Sequence, residues 1–414
     1  MRLVPVLLRE NAAFRRYWTA HSVSMLGDQV TGIALPLLAV LALHATAAEM
    51  GYLAAMQWLP YLLFALVAGA WVDRRQSRRH VMIVADLGRA LLLLTVPAAA
   101  LLGLLTLVQA LGVAFCVGVL SVLFNVADSA LFVSLVPRER FLSGSSLLNG
   151  SRALSFVLGP SLGGVLVQLL TAPFTMLVDV LSYLGSALCL ARIAPEEPPR
   201  SDGGWKGAWE GLRFTWRTPT VRMALISTAV INLFNLMFSA LLVLYATRSL
   251  GVAPGVLGVV LGSGAVGGVL GAAFAGRIAS AIGVGPAYLA GCVVFTAPLL
   301  LVPLAGGPHL LVLAMLFGSE FLSGFGVVLL DIAIGSVFAA VIPGSIRARV
   351  SGAYTVVNYG VRPIGSLAGG LVATAIGVRT TLWIAGVLAI VGVVAALPSP
   401  IPRMRELPPL VDDR

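Results

Sequence analysis

Asp28 is the residue of this chain best placed to do chemistry. It lies about twelve residues into a long apolar run, roughly 18 Å along a helix rising 1.5 Å per residue. His21, Ser24, Asp28, Thr31 and Leu35 recur at helical spacing, a mainly polar stripe centred on a carboxyl. A carboxyl held away from bulk water can take up and release a proton or hold a cation, and an ionisable group in such a run is a functional candidate by default. It can equally be neutralised by a structural partner, and both roles stay open. Ser121, Asn125 and Asp128 share a face of another run, with Asp128 about 12 Å from its end. Arg152 lies at a comparable depth of about 16 Å in the run that follows. An Asp128–Arg152 pair would offset desolvation, either as a fixed structural pair or as one that opens on protonation or meets an anionic substrate group. Glu320 and Asp331 are eleven residues apart, three helical turns, and so point the same way. Arg362 is the candidate partner of Asp331, while Thr228, Asn232, Asn235 and Ser239 form a neutral stripe suited to hydrogen bonding. Asp179 fits none of these stripes and reads as lying near the outer headgroups.

The elements carrying these groups follow from composition. Hydrophobic residues make up 59% of the 414 and charged residues 11%, far from the balance of a soluble domain. A net charge of +10 would suit a nucleic-acid binder, but the basic residues fall between apolar runs instead of gathering on one face. No nucleic-acid partner is expected; the lipid bilayer is. A spanning helix needs about 20 mostly apolar residues. Twelve such runs are predicted, over 16–43, 47–72, 80–104, 108–136, 141–170, 173–194, 218–248, 254–280, 284–305, 308–342, 348–376 and 379–398. Arginines gather before the first run and after the second, fourth, tenth and twelfth, which places both termini on the cytoplasmic side. Residues 195–217, with Trp205, Trp209 and Trp216, read as a cytoplasmic linker lying partly along the membrane surface. It separates an N-terminal bundle (1–194) from a C-terminal bundle (218–398), and 399–414 form a cytoplasmic tail. No removable signal peptide is expected. Cys116, Cys189 and Cys292 lie inside apolar runs and read as core residues, and no metal site is expected. The chain carries no phosphate loop, no His-Glu-x-x-His pattern and no Gly-x-Ser-x-Gly elbow, so neither an ATP-driven pump nor an enzyme is expected.

The loop between the second and third runs holds Gly69, Asp73, Arg74, Arg75, Arg78 and Arg79. Four arginines in six residues cannot enter a bilayer. The two halves of the chain also repeat at an offset of 206 residues. Val136 and Pro137 fall on Ile342 and Pro343, Asn125 on Asp331, and Gly159, Gly163 and Gly164 on Gly365, Gly369 and Gly370.

The loop resembles the signature that joins the second and third helices of the major facilitator superfamily. Asp86 and Arg89 extend the likeness in the order seen in its drug, macrolide and siderophore exporters, the transmembrane secretion effectors. The resemblance implies an all-α polytopic membrane protein of 12 transmembrane helices in two pseudo-symmetric six-helix bundles, with a substrate site near the midplane. It implies that the first, fourth, seventh and tenth helices line the cavity. The candidates for that lining are His21, Ser24, Thr31, Asn125, Arg152, Asn232, Asn235, Glu320, Asp331 and Arg362, with Asp28 and Asp128 as candidates for proton coupling. Gly69, Asp73 and the loop arginines, with Asp86 and Arg89, become candidate gating residues, and Arg89 is expected nearer the cytoplasm than the cavity. Gly159, Pro160, Gly163 and Gly164 resemble the exporter signature, incompletely, because Ser155 stands where a further glycine is expected. The function implied is secondary active, proton-coupled efflux of small amphiphilic compounds from a bacterial inner membrane, by a monomer with no cofactor beyond the proton gradient. A lysophospholipid transporter and a non-transporting membrane sensor or assembly partner are the alternatives.

Overall fold

The computed structural model describes residues 5–75, 77–194 and 206–407. Its elements are α1 (Val6–Glu10), α2 (Ala12–Leu41), α3 (Ala47–Asp73), α4 (Arg78–Leu101), α5 (Leu107–Leu135), α6 (Phe141–Leu170) and α7 (Ala172–Ala191). There follow α8 (Lys206–Arg217), α9 (Pro219–Leu244), α10 (Pro254–Ile282), α11 (Val284–Thr296), α12 (Leu301–Leu304), α13 (His309–Val341), α14 (Gly344–Ile376) and α15 (Val378–Val394). No strand occurs among the described residues. Every predicted apolar run falls on a helix. Among the described residues, nine helical stretches are long and apolar enough to cross a membrane by length and composition.

Helix ends lie where the local sequence can satisfy orphan backbone groups. The Asn11 side chain accepts from Phe14 N at 2.8 Å and starts α2; Ser77 and Thr106 play the same part for α4 and α5. At the other end of α7, Arg16 donates to the Arg192 carbonyl at 2.5 Å and Arg79 donates to that of Ile193. Cations there satisfy free carbonyls and complement the negative end of the helix dipole. The run expected as one helix over 284–305 is instead broken. It is helical to Thr296, tightens into a 3-10 turn over Ala297–Leu300, and resumes for one turn as α12. Pro298 and Pro303 each lack the N–H that a continuous helix requires.

Contacts divide the chain into two units. The first comprises Met1–Ala45, Met56–Gly203 and Ala253–Val259; the second comprises Thr46–Ala55, Gly204–Val252 and Val260–Arg414. In the first, Phe14, Tyr17, Val72, Met82, Phe124 and Leu131 build one apolar core. In the second, Ile231, Tyr288, Cys292, Leu330 and Val337 build another. Part of the expected surface linker is helix α8. Its Thr215 is fully buried and its Phe214 packs beside Val221, Ile342 and Val350, so this helix docks on the second unit. Trp216 remains exposed; residues 195–205, Trp205 among them, lie outside the described residues, as does the side chain of Trp209.

Over its middle, α4 presents an apolar outer face and buries its charges. On α4, Val84, Leu87, Leu91 and Leu94 are exposed, whereas Met82, Asp86, Arg89 and Leu93 are buried. The spacing of each set is that of one helical face. Such an inversion suits a lipid exterior, where leucine costs nothing and charge is costly.

Candidate functional site

Arg89 is the hub of the first unit. It is one of the largest fully buried side chains, held where α4 meets α2, α5 and α7. Its guanidinium pairs with Asp86 one turn earlier and stands 3.7 Å from Asp28 on α2. Its flat face lies 4.1 Å from the ring centre of Tyr183 and 4.4 Å from that of Phe124. Only a planar, delocalised cation can bridge two carboxylates while stacking between two rings. Tyr183 in turn donates its hydroxyl to Asp28 at 2.5 Å.

Asp179, one turn before Tyr183 on α7, is wholly buried. It accepts from Thr31 at 2.5 Å and from the Ser182 hydroxyl at 2.8 Å. It therefore belongs to the site core, not to the outer headgroups where the sequence placed it. Its access to α2 depends on Gly27: a methyl group there would overlap the Asp179 carboxylate and the Ser182 hydroxyl. Gly27→Ala is accordingly expected to push α7 from α2 and to lower the melting temperature of purified protein by several degrees, overpacking of this kind costing about 1–3 kcal/mol. An unchanged melting curve would show that the contact yields freely.

Two carboxyls, Asp28 and Asp86, thus hold one guanidinium while Asp179 is held by Thr31 and Ser182, and the three acids differ in access. Asp86 and Asp179 are sealed, but the Asp28 side chain is 40% exposed. It opens on a cavity of about 290 Å³ lined also by Thr31, Gln57, Trp58, Tyr61, Ser121 and Asn125. Polar groups on α2, α3 and α5 face this space, and Asn125 donates to the Tyr61 hydroxyl at 3.0 Å.

The remaining candidates are placed as follows. Asp128 does not pair with Arg152: it accepts from Tyr17 at 2.8 Å and stands 3.3 Å from His21 Nδ1, both on α2. The reason is rotation, since Arg152 is exposed and has no ion pair among the described residues. His21 and Ser24 are buried beneath the cavity and do not line it. In the second unit, Asn235 and Glu320 line a separate cavity. Thr228 and Asn232 instead join α9 to α14, through Tyr354 at 2.7 Å and Asn358 at 3.0 Å. Asp331 is exposed, and Arg362 lies 4.2 Å over the Tyr359 ring. Of the loop residues, Arg78 is buried, Arg74 is exposed and Arg75 stacks 4.2 Å over Trp71. Gly69 lies partly buried near the end of α3, and the side chain of Asp73 falls outside the described residues. Gly159 and Gly163 pack on α2 at Gln29 and Val30, while Gly164 meets Pro254 and Gly258 in the part of α10 that belongs to this unit. Arg89, expected nearer the cytoplasm, is part of the cavity wall.

Asp179 and Tyr183 were missed as site residues. The signal was present: Asp179, Ser182, Tyr183 and Ser186 share one face of the sixth run.

Residues 5–410 match the family described as transmembrane secretion effector. The chain belongs to that family. Its members are transporters of the major facilitator superfamily, and this protein is a multi-pass, all-helical membrane transporter with the major facilitator fold. The multidrug efflux pump Tap of Mycolicibacterium fortuitum is 29% identical over 402 residues, covering 92% of this chain and 93% of that protein. A crystal structure of the nucleoside transporter NupG superposes with a TM-score of 0.75 at 13% identity, covering 93% of this chain and 99% of the other. A bacterial homologue of the iron transporter ferroportin also gives a TM-score of 0.75, at 15% identity and 95% and 99% coverage. At such identities the two structures speak for the fold alone.

Proposed function

We propose that this transporter exports small amphiphilic compounds in exchange for protons, by alternating access across a bacterial inner membrane. In this reading it works as a monomer, with both termini cytoplasmic and the proton gradient as its energy source. One observation carries the reading: of the two acids paired with Arg89, Asp86 is sealed and Asp28 lines the cavity. A proton arriving at Asp28 weakens its hold on Arg89 and Tyr183; an ionised Asp28 restores it. Substrate and proton then bear on the same carboxyl, as exchange requires. The relative named as a multidrug efflux pump, similar along nearly its whole length, supports export and the amphiphilic substrate class. A proton-driven cycle changes position between two states of a bistable bundle pair and needs no bound cofactor.

The test is accumulation of a fluorescent amphiphilic dye by everted membrane vesicles containing the protein. Energised vesicles are expected to accumulate dye several-fold over vesicles without the protein, and an uncoupler should collapse the difference at once. Accumulation indifferent to the uncoupler would refute proton coupling. Transfer of a lysophospholipid with no dye movement would transfer the assignment to lipid transport.

A further inference from the structure

The second unit holds a cavity of about 250 Å³ between α9, α10, α11 and α13, with Glu320 on its wall. Many of its lining positions are the repeat images of the Asp28 cavity, displaced by 206 residues. Gln29 becomes Asn235, Leu93 becomes Leu299, Val117 becomes Ser323 and Gly118 becomes Gly324. Three exchanges alter its charge. Asp28 becomes Phe234, which removes a carboxyl. Ala114 becomes Glu320, which adds a carboxyl, and Arg89 becomes Phe295, which removes the guanidinium that balances the first site.

No cation and no hydrogen-bond donor engages Glu320 among the described residues. Nearby, Ser323 is 7% exposed and its buried hydroxyl has no partner. Asn235 lines the same space with its amide likewise unengaged among the described residues. This differs from Thr228 and Asn232 on the same helix, whose side chains are joined to α14. A carboxyl without a counter-charge inside a membrane bundle is costly. Phe238 on α9 and Phe295 on α11 also line the cavity, and aromatic rings together with a carboxyl are what recognise a substituted ammonium group.

We propose that this second cavity is a binding site for the head of a lipophilic organic cation, a protonated or quaternary ammonium, with Glu320 as its counter-ion. The size fits a head group. Sites that enclose a whole drug run from roughly 300 to 1,000 Å³, so the apolar body of the ligand extends beyond the cavity. The proposal deepens the efflux reading and rests on it for the meaning of the site, though binding can be measured without transport.

The test compares binding of benzyltrimethylammonium with that of neopentylbenzene, its uncharged carbon isostere, by calorimetry on purified protein in nanodiscs. The wild type should bind the cation about tenfold or more tightly than the isostere, a difference of one ion pair in a sheltered site. Glu320→Gln should erase that preference and leave isostere affinity unchanged. Phe295→Leu, which keeps an apolar wall without the ring, should weaken the cation several-fold. An unchanged cation affinity in Glu320→Gln, or an equal loss for both ligands, would overturn the assignment. Dye export that depends on the proton gradient together with Glu320-independent binding would remove the site and leave the efflux reading. Glu320-dependent binding without any export would remove the efflux reading and leave the site.

Discussion

Asp28→Asn is expected to lower proton-driven dye accumulation tenfold or more while leaving the protein folded. The amide keeps the shape of the carboxyl and can still accept from Tyr183, which donates at 2.5 Å in the wild type. What it loses is the exchangeable proton. The variant also leaves Arg89 paired with Asp86, so no uncompensated cation results. Melting temperature should therefore stay near that of the wild type. Downhill exchange of dye across the membrane, which needs no coupling, should persist. This combination separates a coupling role from a structural one, because a structural acid would affect stability and both modes of transport together. Full proton-driven accumulation by a well-expressed Asp28→Asn protein would shift the role to Asp128, whose partners are Tyr17 and His21.

Arg89→Ala carries the second large effect, on folding. Removing the guanidinium leaves Asp86 sealed with no cation and empties the space between the rings of Tyr183 and Phe124. Breaking a buried pair from one side costs about 3–5 kcal/mol, more than removing both members together. Most of the variant is thus expected to run as aggregate in fluorescence-detected size exclusion, with a melting temperature well below wild type. The double variant Arg89→Ala with Asp86→Asn should recover part of the loss, because the orphaned charge goes with the arginine. Arg89→Lys should fall between, since an ammonium cannot span both carboxyls and stack on two rings. A single variant as stable as the wild type would mean that water reaches Asp86 and that the burial described here opens in the membrane.

Much of this protein is legible in one dimension. Apolar length alone marks where helices run, because a segment without charge over some twenty residues has one favourable place to be. The repeat at 206 residues points to two related halves, although the observed units exchange Thr46–Ala55 and Ala253–Val259 across that boundary, and the basic loop with Asp86 and Arg89 supplies the family. The polar stripe on α2 places Asp28 at its centre, because the period of a single helix is a property of its own sequence.

Pairing between helices is another matter. A helix turns about 100° per residue, so a partner is chosen by how far each helix is rotated and slid against its neighbours. Nothing within either helix fixes that. Asp128 therefore met His21 and Tyr17 instead of Arg152. Asp179, apparently peripheral on a peripheral span, came to rest on Thr31. Thr228 and Asn232 turned to α14 while Asn235, on the same stripe, faced a cavity. In the first unit α7 approaches α2 closely at Gly27 and α6 approaches α2 at Gly163; in the second, α14 approaches α9 at Gly365 and Gly369. Sequence determined which segments are long and apolar enough to lie in the membrane and which acid stands at the centre of a polar stripe. Only packing, through contacts the chain makes across more than a hundred residues, decided what each charge would touch.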